Sequence, residues 1–590
     1  MKSKPFSGFI FSGLPYMVLF TGMFAWFAFI SGYILFFQEK SSLFLFSGVY
    51  ITEKLWQPGG LLYLLSGFLT SFYYHPVAGS IIISGLITLT TLVISRCIVN
   101  ISGRNEKIYP FVIGLLMFLL HTEYTILLQA SLGIFLQVSA FSIIVKMAKK
   151  SMWWVAFILT PLNYLVAGGF CWILMFVTTL YLVISERKLL LVRICSLWGM
   201  MFFIFLVSRK FIFFSSDTTL LFFPIQLPDD SLARMIFLVI SALIVILPVI
   251  AVVRFPVPNF LSATYHSENW IRAIVVLAVL LMMGVYRYDK KNVHYFHAEK
   301  LFYEGKYDEL IEYSTRIPST NTLTLFFTNI ALAEKGILND RLFGFLQSPE
   351  GKTLFLKWEM IREILKRGGY FYYTTGMINE AHRWAYENMV MTGHTPEGLK
   401  MLIRTELING NYRMASKYIS LLKKTLFYRK DAQHFEKFLF NDDAVEKDAD
   451  LGEKRKIRIR ADFFSITDDP YINIERVSYT DSLNRAAFNY KIAYLLLKKD
   501  YKTLSANLPR FAELGYKVFP THVEEAILAI STMNNGENPY RGNLRVSRLT
   551  EERWTQFLTV FQQYGNDPRK AEPALRKQFG NTFWYWAFYR

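Results

Sequence analysis

The sequence predicts an all-α protein in two parts: a polytopic bundle of about nine transmembrane helices, then a soluble helical-repeat domain of tetratricopeptide type. Three observations predict it. Hydrophobic residues make up 53% of the 590 and charged residues only 19%, too apolar for a soluble chain of this length. The charge is unevenly shared: residues 1–286 hold 18 Lys+Arg and 9 Asp+Glu, residues 287–590 hold 46 and 37. Beyond Arg287, apolar residues recur at helical spacing and strand-like alternation is scarce.

A bilayer core needs about 20 apolar helical residues, and the runs near 7–37, 77–98, 108–122, 125–146, 152–166, 168–185, 189–207, 233–253 and 269–286 are read as spans. Four are short and form two tight hairpins, tipped by His121-Thr122-Glu123-Tyr124 and by Asn163-Tyr164 through Gly168-Gly169. Lys2 and Lys4 precede the first run with no small-residue cleavage site, so that run is expected to stay as a span. The helix near 59–75 is expected to lie along the interface, where Tyr63, Phe72, Tyr73 and Tyr74 suit the half-wet depth.

Basic residues decide the count. With nine spans, Lys2, Lys4, Arg96, Arg104, Lys107, Lys146, Lys149, Lys150, Arg187, Lys188, Arg193, Arg254 and Arg272 fall inside, and only Lys40, Lys54, Arg209, Lys210 and Arg234 outside. A tenth span at 59–75 would invert this, against the positive-inside bias. Nine spans put the C-terminal half on the outer face. The same bias accounts for much of the pI of about 9.4, so no nucleic-acid partner is implied. The partners expected are membrane lipid and a protein or glycan bound by the tail.

The domains are read as 1–286, the transmembrane part; 287–440, the helical repeats; 441–475, an irregular insertion; and 476–590, a C-terminal helical region. Gly376 to Gly410 is 34 residues, one tetratricopeptide period, and Ala381 and Ala415 follow their glycines at equal distance. A turn glycine allows a tight connection, and a small residue lets the next helix approach. The insertion breaks this pattern with Asp469-Pro470 and a basic cluster, Lys454, Arg455, Lys456, Arg458 and Arg460. That cluster reads as a solvated face, or more sharply as a seat for a phosphate-bearing partner. The closing Phe583-Trp584-Tyr585-Trp586 is expected to dock as a cap. Cys97, Cys171 and Cys195 lie in or beside apolar segments and read as small core residues, with no disulfide framework.

No phosphate loop, dinucleotide fingerprint, nucleophile elbow or zinc spacing is present, so no cofactor can be named. His294 and His297 share a helix face but lack a third ligand, which leaves no metal site to expect. The spans are nearly free of ionisable groups, which disfavours an ion-coupled transporter. The acids instead sit at span ends and loops: Glu39, Glu53, Glu123, Asp217, Asp229 and Asp230. That layout is similar to polyprenyl-phosphate-sugar-dependent glycosyltransferases, in which outer-loop carboxylates act as base or metal ligand. On that alternative Glu53, Glu123 and the neighbouring His121 are the catalytic candidates. The leading expectation is a multi-pass cell-envelope protein whose outer helical-repeat domain binds a partner, with whether it is an enzyme left open.

Several stretches carry a resemblance together: Trp56-Gln-Pro58-Gly-Gly60-Leu, Phe72-Tyr-Tyr74, Asn163 through Gly169, Ile378 through Glu387, Asn411-Tyr412 through Lys417-Tyr418, Leu421 through Lys430, and Phe579 through Tyr585. On these the sequence resembles the bacterial membrane family known as domain-of-unknown-function family 6057, over nearly its whole length. The resemblance implies a Gram-negative inner-membrane protein, so that the outer face on which nine spans put the tail is the periplasm, and it carries no catalytic residue across.

Overall fold

The computed structural model describes residues 6–103, 108–185, 189–253, 265–359, 361–459, 465, 469–480 and 483–590. Among them every regular element is helical. Of the basic residues counted above, Lys2, Lys4, Arg104, Lys107, Arg187, Lys188, Arg254 and Arg460 lie outside the described residues. The chain divides into two compact units: residues 1–290 together with Lys424–Arg429, and residues 291–423 together with 430–590.

Among the described residues of the first unit seven stretches are long and apolar enough to cross a membrane: Gly13–Ile30, Pro76–Ser102, Leu128–Lys146, Ser151–Ser185, Leu190–Ile212, Ser231–Val252 and Asn269–Arg287. Ile108–His121 is apolar but shorter. The 35-residue stretch Ser151–Ser185 is two helices, broken by a 3₁₀ turn at Gly168–Phe170. A Cβ on Gly133 would meet the Phe170 ring at 2.6 Å, and Phe141 meets Tyr181 edge-on at 5.7 Å. The second helix therefore runs parallel to Leu128–Lys146. The first reaches the same helix through Asn163 on Gln137 after a link of only Met147 and Ala148, and so runs antiparallel. The stretch thus folds back at Gly168.

The break is held by backbone. Gly168 sits at φ +57, ψ −132, a region that excludes side chains. A Cβ there would lie 2.1 Å from the Phe223 carbonyl oxygen. Gly169 N–H donates to that carbonyl at 2.8 Å, and Gly59 N–H donates to Leu165 O at 3.2 Å. Gln129, Tyr164 and Trp172 donate to the carbonyls of Pro224, Leu220 and Leu221. Two of the stretches that carry the family resemblance, around Pro58 and around Gly168, therefore meet at one backbone junction.

The segment near 59–75 is the helix Gly60–Ser71, about 18 Å long, followed by the 3₁₀ turn Phe72–Tyr74. It is not among the stretches long and apolar enough to cross a membrane. Cys97 and Cys171 are buried as expected, while Cys195 is exposed on its helix.

In the second unit Arg362–Thr374, Ile378–Thr392, Pro396–Asn409 and Tyr412–Lys423 each pack on the next. Gly376 at φ +83 makes the first connection, and Ala381 and Ala415 are fully buried. Gly368 leaves room for the Trp384 ring, which would otherwise lie 2.1 Å from a Cβ. The stretch expected to be irregular carries Asp442–Lys447 and Leu451–Lys456, and Pro470 opens the helix Pro470–Thr480. Residues 460–464 and 466–468 lie outside the described residues. The aromatic end docks: Trp584 Nε1 donates to Glu525 O, and Glu525 accepts from Phe583 N–H, both at 2.7 Å.

Candidate functional site

His121 and Glu123 stand together in the turn between Ile108–His121 and Leu128–Lys146. Because the turn is short, the last residue of one helix faces the first turn of the next. His121 is fully buried, with Nε2 2.6 Å from Ser131 Oγ. Glu123 accepts from Arg287 Nη2 at 3.0 Å, and Arg287 Nε donates to Thr122 Oγ1 at 3.0 Å. Arg287 ends the helix Tyr265–Arg287, where a cation also complements the exposed carbonyls. Gln38 donates to Ile126 O at 2.7 Å, which fixes the turn to the helix Tyr33–Ser41.

Glu53 is placed differently. Its helix, Gly48–Leu55, buries no residue. The Glu53 side chain is 63% exposed, with Lys54 Nζ at 2.8 Å. Among the described residues no hydrogen bond or ion pair joins Glu53 to Glu123 or His121. The structure thus brings two of the three sequence candidates together and leaves the third apart. Glu123, committed to an arginine, has its charge already matched. His121 is enclosed on all sides, with its near nitrogen taken by Ser131. A general base needs a free lone pair within reach of a substrate proton, and of the three only Glu53 is open to one.

Sequence reasoning named Glu39 as a span-end acid and went no further. In the structure it is the most enclosed acid of the first unit's described helix ends, 6% exposed. The Tyr428 hydroxyl donates to it, Lys40 Nζ lies 3.7 Å away, and Lys40 also donates to the Tyr428 oxygen at 2.9 Å. Nearly 390 residues separate the partners, so no periodicity could have joined them. The one available signal was that Leu421 through Lys430 is among the stretches carrying the family resemblance.

Among the described residues no group of three His, Cys, Asp or Glu is placed to hold a metal ion. His294 instead pairs with the Tyr313 hydroxyl at 2.6 Å, and the His297 ring lies 4.5 Å from the Tyr313 ring. Burial, with the Lys300 charge beside it, holds His297 below the usual histidine range.

The second unit offers an open groove of ≈ 400 Å³ between Tyr307–Arg316 and Leu338–Arg341. Asp308, Ile311, Glu312, Thr315 and Arg316 line it from the first helix, with Ile337 and Arg341 opposite. Arg341 Nη2 donates to Thr315 Oγ1 at 3.2 Å and stands over the Phe345 ring. The basic cluster of the insertion is largely occupied. Arg455 and Arg458 donate to the Leu407 and Ile408 carbonyls at the end of Pro396–Asn409. These are among the last carbonyls of the helix, which lack a donor four residues on. Buried Lys454 pairs with Glu334 at 2.7 Å. Of the described members only Lys456 is exposed.

A family model described as "Family of unknown function (DUF6057)" matches residues 8–590. The chain belongs to that family. No curated protein and no solved structure gives a match.

Proposed function

We propose that this family member is a multi-pass envelope protein that crosses a bacterial inner membrane nine times and holds a tetratricopeptide-like array outside it to bind a partner. The span count rests on the seven long apolar stretches, with Ser151–Ser185 taken as two and Ile108–His121 as one more. That odd number carries the tail outward. Alkaline phosphatase, active only outside the cytoplasm, should work when fused after residue 300; activity of a cytoplasm-only reporter there would sink the nine-span reading.

One observation supports binding over catalysis. The acids that enzyme chemistry would draw on are consumed internally, Glu123 by Arg287 and Glu39 by Tyr428, and Glu53 stands apart from both. The tail groove, mixed in charge and open, suits a polypeptide or glycan chain better than a reacting centre. The lipid-linked glycosyltransferase remains the alternative because Glu53 is exposed, with only its sequence neighbour Lys54 against it. A general base contributes about 10²–10⁴-fold in rate, so Glu53→Gln with Glu123→Gln would abolish such an activity. The binding reading expects that double variant, at normal membrane abundance, to keep the cellular phenotype intact. Deleting residues 292–590 should abolish it. A surface-glycan defect in the double variant alone would overturn this assignment.

A further inference from the structure

We propose that Thr425–Tyr428 is a latch, a releasable plug in the first unit held shut by the Tyr428 hydroxyl on the Glu39 carboxylate. Lys424–Arg429 packs with residues 1–290 although the chain on both sides of it belongs to the second unit. Its seat is specific. Phe46 N–H donates to Lys424 O at 2.7 Å. The Phe427 ring stacks on Tyr74 at 5.1 Å, with the planes 2° apart, and meets Phe72 and His75 edge-on. Tyr428 is buried, donating to Glu39 and accepting from Lys40.

The seat is polar where apolar groups would often hold as well, since replacing a buried polar pair by apolar residues is often neutral or stabilising. Here the plug covers a carboxylate whose desolvation is offset while Tyr428 stays in place. Hydroxyl-bearing Ser42, Thr70 and Ser71 line a cavity of ≈ 20 Å³ beside it, room for a water. When the plug withdraws, Glu39 and Lys40 are sequence neighbours and rehydrate as a pair, so the open state keeps no stranded charge. The plug is also braced from within. Tyr428 N–H donates to Thr425 Oγ1 at 3.1 Å, and Arg429 Nε donates to Thr425 O at 3.1 Å. It can therefore leave and return with its turn intact. The closed state is held by the Phe427 ring contacts, the backbone bond from Phe46 to Lys424 and the hydrogen bonds that Tyr428 makes with Glu39 and Lys40, all of which are exchanged for water when the plug leaves.

Hydrogen exchange on the full-length protein in nanodiscs reads the latch through the Phe46 amide, whose acceptor is the plug's own Lys424 carbonyl. Losing a hydrogen bond to a charged group corresponds to about tenfold or more in the closing equilibrium. Tyr428→Phe should therefore raise Phe46 exchange by about that factor, while amides of Leu128–Lys146 keep their protection. Glu39→Met and Lys40→Met combined with Tyr428→Phe should exchange more slowly than Tyr428→Phe alone, because neither charge of the pair is left under the plug. Three outcomes would overturn the latch: unchanged Phe46 exchange in Tyr428→Phe, a triple variant faster than the single one, or protection lost throughout the unit.

Discussion

The two units differ in where they hold charge, although both satisfy many helix hydroxyls locally. In the first unit Ser80, Thr88, Thr90, Thr91 and Thr160 each donate to the carbonyl four residues earlier, as Thr328, Thr375 and Thr405 do in the second. In the first unit charges are held at helix ends, as with Glu123 and Arg287. Close packing comes from small residues, for lipid tails give helices no hydrophobic reason to associate. Gly22 faces Leu280, Gly284 faces Trp26 and Gly114 faces Thr91, each too near for a Cβ.

Among the described residues of the second unit no helix is both long and apolar enough to cross a membrane. This unit places full charges in its interior. Arg367 is wholly enclosed, with Nη2 2.6 Å and Nε 2.8 Å from Glu299 Oε1, and Tyr303 donates to the same oxygen at 2.9 Å. Glu363, one turn earlier, closes the other side. Between them these carboxylates hold the guanidinium charged against its burial. The lesson is that the membrane unit gains specificity from shape and the tail from charge. Mutations should separate the two.

The largest expected effect belongs to the tail. Arg367→Met leaves Glu299 buried at 1% exposure without its cation. Breaking a buried pair from one side costs about 3–5 kcal/mol. The intact protein should melt with an early loss of the tail, while the membrane unit keeps its helicity. Adding Glu299→Leu should recover much of the loss, because the pair replaced on both sides is close to neutral. If Arg367→Met melts like wild type, charge does not organise this core and the contrast drawn here fails.

Much of the fold was legible because it follows from local pattern. Apolar runs located the membrane stretches, Gly168-Gly169 marked a fold-back, and the 34-residue spacing pointed to Ala381 and Ala415, both buried. The terminal aromatics read as a cap and are one. The site was only half legible. His121 and Glu123 are neighbours in sequence and remain so in space. Glu123–Arg287, Glu39–Tyr428 and Arg367–Glu299 join residues 164, 389 and 68 apart. Such pairs leave no period behind, since helical spacing specifies which face a residue occupies and nothing about what lies across from it. The basic cluster misled for a related reason. Adjacent cations look like a surface, yet Arg455 and Arg458 turn back onto the open end of another helix.

The smaller effect belongs to the membrane unit and tests shape. Gly168→Ala puts a methyl group 2.1 Å from the Phe223 carbonyl oxygen, in a backbone region that L residues avoid. A non-glycine residue there costs about 1–3 kcal/mol before any displacement of its neighbours. The displacement matters because Gly169 N–H donates to the same carbonyl, so moving Phe223 also weakens that bond. The variant should lower the melting temperature of the membrane unit in detergent and leave the tail's transition in place, the reverse of Arg367→Met. Gly103→Ala is the matched control, for Gly103 also has a positive φ, +70, and a Cβ there meets nothing within 4 Å. If these glycines mattered only through their backbone angle, the two alanines would act alike. If close backbone approach is what joins these helices, Gly168→Ala destabilises more. Equal behaviour of the pair would show that the junction around Gly168 is not what fixes the fold-back, and that shape is not this unit's source of specificity.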